Sequence, residues 1–252
     1  MKKQLAPVIA ELQLWCEQGL KLPIWWRDDD AVAPTPALDQ LLALAADLDA
    51  PLHLAVIPDP AGGALADRLQ DTAQARAMPH GWQHRNHAPA GEKKAEFGAH
   101  RPNDVMLGET ARGWRRIEEM FGSRALPVFV PPWNRVCPAV VEGLAGSGFS
   151  AISTFLPRPV KHPSPGLLQV NTHLDPIAWR AGGGLADPAM LAAEIAAQLA
   201  DRREERADNS EPFGLLTHHL AHDEDVWSFT ATLIEVLTQS GAAAWTAPLE
   251  DD

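Results

Sequence analysis

Two histidines near the end of a short apolar segment have the spacing of a metal-binding pair. His80 and His84 lie four residues apart, so even one helical turn would bring both imidazoles to the same side of the chain, where one cation could bind both. A pair at this spacing is a weak motif, and an exposed loop explains it equally well. The interpretation as a metal site therefore depends on further ligands nearby.

A carboxylate ligand is available from the three consecutive aspartates at residues 28–30. They follow residues 22–26, whose apolar and tryptophan-rich composition is typical of a buried strand. Acidic triplets also occur as exposed turns or helix starts. Two histidines and one carboxylate would leave coordination positions open for water and substrate, as a catalytic zinc requires.

The elements that must position these side chains alternate between strands and helices. Short apolar segments recur, with amphipathic segments between them. This alternation predicts a parallel sheet with outer helices, either closed into a barrel or open and doubly wound. The length suits one α/β barrel, so we predict a single domain over residues 1–252, with two domains as the alternative. The predicted strands are residues 22–26, 52–57, 77–78, 126–130, 149–153, 167–171, 213–217 and 243–245, and the predicted helices are residues 6–19, 35–48, 62–76, 105–121, 138–146, 187–203 and 223–239.

Polar residues follow five of the predicted strands at equivalent positions. In parallel α/β folds the ligand site forms at the carboxyl ends of the strands, so such residues are expected to face one pocket. A single polar cluster after a strand is common on protein surfaces, but five clusters at equivalent positions predict a shared site. The clusters are the aspartates 28–30, His80 with His84, Trp133 with Asn134 and Arg135, His173 with Asp175, and His218 with His219.

The composition disfavours several classes of partner. There are 21 Lys and Arg against 33 Asp and Glu, and the net charge of −12 repels nucleic acid and anionic membranes. The basic start is interrupted before any long apolar run, so we predict no signal peptide, no transmembrane helix and a cytoplasmic location. Two cysteines, Cys16 and Cys137, are too few for a disulfide framework and lack the spacing of a zinc finger, so we predict that both are reduced.

Taken in order, these motifs resemble those of the polysaccharide deacetylase (NodB-homology) superfamily. The resemblance covers residues 24–245 and implies a distorted (β/α) barrel with about seven parallel strands and outer helices. It also implies hydrolysis of an N-acetyl or O-acetyl group of a sugar. It also implies a divalent metal cofactor, with zinc as the first choice. The matching motifs are Asp29 with Asp30 after a strand, His80 with His84, the aromatic and proline-rich residues 129–133, and Leu216, Thr217 and His218 late in the chain.

The same resemblance implies roles for individual residues. Asp29 would be the general base and His218 the general acid. Aligning on Asp28 and Asp29 instead would shift the aspartate roles by one residue, and we favour Asp29 and Asp30. The implied metal ligands are Asp30, His80 and His84, and the predicted substrate-binding residues are Trp133, Asn134, Arg135 and His173.

Three departures from the family pattern concern the substrate more than the metal. Gly81 stands where Ser or Thr is common, Ala31 stands where a glycine usually follows the aspartates, and residues 129–131 lack the arginine usual before the proline. Arg27 or Arg135 could orient the catalytic aspartate instead.

We predict a metal-dependent deacetylase acting on a small acylated sugar or a related molecule. One alternative is a hydrolase of a non-sugar carbon–nitrogen bond, such as that of a cyclic amide. Another is a barrel that binds a metal or ligand without turnover. The long polar loop at residues 88–104 is a candidate lid over the substrate.

Overall fold

The computed structural model describes residues 1–249 and places the strands in two parallel sheets. The larger sheet has the order β3-β2-β1-β7, with β8 also pairing β1, and the smaller has the order β4-β5-β6. The strands are β1 (Leu22–Ala31), β2 (Leu52–Val56), β3 (Ala75–Pro79), β4 (Val128–Phe129), β5 (Ala151–Ile152), β6 (Leu168–Gln169), β7 (Phe213–Thr217) and β8 (Ala243–Trp245).

Isolated parallel bridges connect the two sheets along both of their facing edges. His80 pairs with Val130, which joins the β3 edge of the larger sheet to the end of β4. Leu174 pairs with Leu215, which joins the chain after β6 to β7. These links give a barrel-like α/β arrangement, which confirms the predicted fold class.

A helix lies between each pair of consecutive strands except β5 and β6. Thr35 and Asp223 cap helices with their side chains, as their residue types favour. Within residues 1–249 no helix combines the length and apolar character needed to cross a bilayer. The α-helices of this part of the chain are α1 (Ala6–Glu17), α2 (Pro36–Asp47), α3 (Gly63–Leu69), α4 (Asn103–Phe121), α5 (Pro138–Gly143), α6 (Pro188–Arg203) and α7 (Glu224–Gln239).

Two predicted boundaries near the site are wrong. The helix predicted for residues 62–76 ends at Leu69, because residues from Ala75 onward pair with β2 as strand β3. The strand predicted for residues 22–26 continues through the aspartates to Ala31. It can do so because buried partners satisfy the first two aspartates inside the fold.

Side chains of β1 alternate between two apolar regions. Trp26 belongs to the large core that includes residues of the outer helices. Trp25 belongs to a smaller cluster formed by residues of β1 to β5 and those adjoining them. Because alternate residues of a strand share a face, Arg27 and Asp29 continue the row of Trp25 toward the carboxyl end of β1.

His53 on β2 makes the stability of the fold depend on pH. Its imidazole is buried, with Nδ1 3.0 Å from the carbonyl oxygen of Trp26, and burial lowers its pKa to about 4. The unfolded chain, with a histidine pKa of about 6.5, therefore binds more protons between these values, so stability falls as the pH drops.

We expect His53 to contribute a loss of about 2 kcal/mol in unfolding free energy between pH 7 and pH 5. Urea unfolding of the wild type and of His53→Gln at both pH values measures it. The variant should lose less stability on acidification than the wild type. An identical loss in the two proteins would contradict the assignment.

Candidate active site

Asp30, His80 and His84 converge at the carboxyl ends of β1 and β3. One ligand atom from each residue lies within 4.8 Å of the other two. The Nε2 atoms of His80 and His84 lie 3.2 Å and 3.3 Å from Oδ1 of Asp30. The structure therefore brings together the three residues predicted to bind a metal.

Local backbone irregularities aim two of these side chains. The pairing of β1 with β2 changes register between Asp28 and Ala31, and Asp30 within this interval has a φ of +75°. A register change of this kind re-aims the side chain at the end of a strand. His84 also has a left-handed backbone, with a φ of +55°. His80 lies at the end of β3, where its N–H donates to Val56.

The chemistry of the triad fits a divalent cation. Nδ1 of His80 lies 3.0 Å from the carbonyl oxygen of Val130, so in the neutral ring Nδ1–H donates there and the lone pair of Nε2 faces Asp30. Oδ1 of Asp30 is buried and has no hydrogen-bond partner within residues 1–249. A cation bound between Nε2 of His80 and Oδ1 of Asp30 would be coordinated by lone pairs that otherwise face one another.

Electrostatics in the triad favour the carboxylate form of Asp30. Burial raises the pKa of Asp30, but His80, His84 and His218 together lower it well below its usual value. Burial lowers the pKa of His84, as does the charge of His80. For His80, the effect of burial is outweighed by Asp29 and Asp30, which raise its pKa.

Asp29, the predicted base, is held by an arginine of its own strand. The guanidinium of Arg27 donates from Nε to Oδ1 at 2.8 Å and from Nη2 to Oδ2 at 3.0 Å. Arg27 is 0% exposed, and its remaining donors bind Ser153 Oγ at 2.7 Å and Asn134 Oδ1 at 2.8 Å. Of the two arginines considered from the sequence, Arg27 thus contacts the aspartate. Arg135 is exposed and donates to the carbonyl of Lys94.

Asp28 points to the other side of β1 and is fully engaged there. Its Oδ2 accepts from the Thr217 hydroxyl at 2.7 Å and from the N–H of His219 at 3.0 Å, and its Oδ1 contacts the imidazole of His219. The geometry therefore favours Asp29 and Asp30, rather than Asp28 and Asp29, as the pair that faces the site.

His218, the predicted acid, lies beside a carboxylate after β6. Its Nδ1 is 3.7 Å from Oδ2 of Asp175, which accepts from Trp179 Nε1 at 2.7 Å. Burial raises the pKa of Asp175, against the lowering effect of His218. The sequence analysis placed Asp175 in a strand-end cluster with His173 and did not predict its contact with His218. The signal available was its position after a strand, shared with the other clusters.

Comparisons with known proteins find similarity in structure only. No protein-family model matches the sequence, and the curated proteins give no significant match. A family 4 carbohydrate esterase from Streptomyces lividans, solved in complex with acetate, matches with a TM-score of 0.57 at 14% identity, over 91% of this chain and 95% of that one. A putative polysaccharide deacetylase from Mycobacterium smegmatis matches with a TM-score of 0.54 at 17% identity, over 84% and 74% of the two chains.

This chain has the fold of a family 4 carbohydrate esterase. The same fold also occurs in a family 4 pseudoenzyme from Bacillus anthracis, which matches with a TM-score of 0.54 at 13% identity, over 89% of this chain and 63% of that one. The family 4 fold therefore does not decide whether a chain is active, and the argument for activity depends on the residues of the site.

The four residues predicted to bind substrate have different surroundings in this family 4 fold. Trp133 is half-buried, and its ring centroid lies 4.3 Å from that of His84, so it flanks the triad. Asn134 uses its side-chain oxygen to hold Arg27, which makes it a support for the base. Arg135 lies on the surface near Lys94.

His173 does not reach the site. It is 0% exposed, its Nδ1 accepts from the N–H of Gly214, and its Nε2 lies 3.1 Å from Oε2 of Glu211. Burial lowers its pKa. These contacts give the ring a role in packing the barrel and no surface that a substrate could touch, which corrects the sequence-based prediction.

Gly81 allows the chain to turn between the two histidines, where the family pattern has Ser or Thr. Its φ is +61°, and a Cβ there would lie 2.2 Å from Oε2 of Glu96 and 2.6 Å from Cδ of Pro132. The structure thus has no room for both a serine or threonine side chain at residue 81 and the carboxylate of Glu96.

We expect Gly81→Ala to lower the free energy of unfolding by about 2–4 kcal/mol, since the left-handed backbone and the overpacking each have a cost. Gly91→Ala is the matched control, because Gly91 also has a positive φ, +88°, but nothing lies within 4 Å of its missing Cβ. Chemical denaturation compares the two. Equal losses would show that the contact with Glu96 is unimportant.

Proposed function

We propose that this protein is a metal-dependent hydrolase that removes an acetyl or other acyl group from an N- or O-acylated sugar or a related small molecule. The observation that carries the proposal is the convergence of Asp30, His80 and His84 beside Asp29 and His218. The likeness in fold to an esterase solved with acetate supports it. So does the match to a chitin deacetylase from Colletotrichum lindemuthianum, with a TM-score of 0.51 at 17% identity, over 90% of this chain and 88% of that one.

Asp30, His80 and His84 would hold the metal ion. Two imidazoles and one carboxylate are a donor set that suits zinc and leaves positions open. When bound, a divalent ion supplies a water of lowered pKa and polarises the acyl carbonyl.

Asp29 would accept the proton of the attacking water. Its carboxylate is fixed by two hydrogen bonds from Arg27, which orient it and balance its charge. Asn134 and Ser153 in turn hold the guanidinium. A base whose position is fixed in this way needs little reorganisation when it takes up the proton.

His218 would donate a proton to the leaving nitrogen or oxygen. Nδ1 of His218 faces the carboxylate of Asp175, which leaves Nε2 as the nitrogen that can serve the substrate. Asp175 is itself held by Trp179 and by the N–H of Ile177. Asp29 lies in β1 and His218 follows the paired strand β7, so both lie at the same end of the sheet.

The test is acetate release by the zinc-loaded protein from three substrate classes. These are N-acetylglucosamine oligomers, O-acetylated xylo-oligosaccharides and N-acetylated small amides, with a cyclic amide assayed separately for ring opening. Release from an acetylated sugar, lost in Asp29→Asn, is the expected result. Ring opening alone would favour the carbon–nitrogen hydrolase. Zinc binding without turnover on any substrate would favour a non-catalytic barrel, as in the pseudoenzyme of the same fold.

A further inference from the structure

The backbone segment that carries His84 wraps around a buried carboxylate. Glu96 is 1% exposed, although it comes from the polar stretch between β3 and α4. Its two oxygens accept hydrogen bonds from four consecutive backbone N–H groups. The donors are Trp82 at 3.2 Å, Gln83 at 2.7 Å, His84 at 3.2 Å and Arg85 at 3.4 Å.

Glu96 is fixed from both sides along the chain. The carbonyl of Ala95 accepts from the N–H of His87, and the carbonyl of Phe97 accepts from the N–H of Cys137 at 2.8 Å. The side chain of Phe97 is buried in an apolar cluster. Residues 95–97 are therefore part of the packed structure, and within the loop predicted as a lid the longest exposed stretch outside them is residues 89–94.

The four N–H groups can point at one anion because the backbone adopts unusual conformations. Gly81 and His84 both have positive φ, at +61° and +55°. Successive N–H groups in such conformations form a concave site for an anion. A left-handed histidine costs of the order of 1 kcal/mol or more and persists only where contacts hold it. The carboxylate of Glu96 supplies those contacts.

We propose that Glu96 is a positioning residue for the metal site. Its carboxylate fixes residues 82–85 in the conformation that turns Nε2 of His84 toward Asp30 and His80. This inference rests on the proposed metal site. Glu96 binds only the backbone of this segment and does not enter the triad, so its effect on the metal is exerted through His84.

The test is a double-mutant cycle read out as zinc affinity. Zinc is titrated against a chelator of known affinity for the wild type, Glu96→Gln, His84→Ala and the double variant, each checked for folding by circular dichroism. Glu96→Gln keeps the shape but turns an NH₂ group toward N–H donors. We expect it to weaken zinc binding by about 10–100-fold, as for other groups that orient a ligand. In the His84→Ala background the same change should have little further effect, since its target is gone.

Glu211→Gln is the matched control. Glu211 is another buried carboxylate that accepts backbone N–H groups, from Arg158 at 3.0 Å and Asn171 at 2.9 Å, but it lies beside His173 and outside the triad. It should lower stability and leave zinc affinity within about twofold of the wild type, because no ligand depends on it.

Three results would decide against the role of Glu96. Unchanged zinc affinity in Glu96→Gln would overturn it. So would a loss of zinc affinity that is equal in the wild-type and His84→Ala backgrounds. If Glu96→Gln does not fold, Glu96→Asp takes its place, since it keeps the charge and shortens the side chain by one methylene. A wild type that binds no zinc would overturn the proposed metal site together with this inference, whereas the other two results leave the metal site standing.

Discussion

Asp30→Ala is expected to abolish stoichiometric zinc binding and to leave the fold intact. Asp30 supplies the anionic oxygen on which both imidazoles converge. Its removal should therefore lower zinc affinity by more than the roughly 10–100-fold that is typical of removing a group that only orients a ligand. The fold should persist because Oδ1 of Asp30 makes no hydrogen bond within residues 1–249 that would be lost. Elemental analysis after dialysis, with circular dichroism, measures both outcomes.

Asp29→Asn is the control for this experiment, because the two aspartates are neighbours in the same strand. Asp29 pairs with Arg27 and is not one of the converging atoms, so its variant should retain zinc. The comparison also decides the register of the aspartate triplet. Loss of zinc in Asp29→Asn with retention in Asp30→Ala would mean that Asp29 is the ligand, contrary to the geometry.

The sequence was sufficient to predict that Asp30, His80 and His84 converge, because each lies close to a recognisable signal. His80 and His84 are four residues apart, and the aspartates follow a strand that its tryptophans identify, although the choice of Asp30 among them came from the family resemblance. Neither prediction requires knowledge of distant contacts. The parallel α/β arrangement follows for the same reason, since it depends on local apolar segments and on the general preference for parallel crossovers. The choice of a barrel over an open sheet came from the family resemblance.

The supporting residues could be predicted only in part. The sequence left Arg27 and Arg135 as alternatives, because the predicted strand ended at residue 26. Since β1 extends to Ala31, Arg27 and Asp29 are two residues apart in one strand and share a face. Glu96 gives no such signal. Its role depends on backbone N–H groups of a segment more than ten residues earlier, and no side-chain pattern records where those groups point. In the sequence it is one of several charges in a polar loop.

His173 shows the limit of reasoning from strand ends. A polar residue after a strand is placed at the correct edge of the sheet, but its neighbours decide whether it faces the pocket or the interior. Here the buried Glu211 pairs with its Nε2, and Phe213 stacks against the ring at 5.4 Å between centroids. Both partners come from a part of the chain about 40 residues later, so the sequence near His173 does not reveal them.

Asp29→Asn is also expected to lower kcat by about 10²–10⁴-fold, the usual contribution of a general base, with zinc content unchanged. The amide keeps the shape of the side chain but cannot accept the proton. It also leaves the buried guanidinium of Arg27 without its counter-charge, which should cost about 3–5 kcal/mol of stability. The rate must therefore be measured on protein shown to be folded, with the substrate from which the wild type releases acetate fastest.

Asp175→Asn separates the loss of a base from a general disturbance of the site. In the proposed reaction Asp175 does not face the attacking water but orients His218. Asp175→Asn should therefore lose less activity than Asp29→Asn. It should also shift the limb of the pH–rate profile that reports the general acid. Equal losses in both variants, with the same pH profile, would contradict the assignment of Asp29 as base. If Asp29→Asn kept most of its activity, the proton would have to leave by another group, and the arginine that fixes Asp29 would then serve the fold alone.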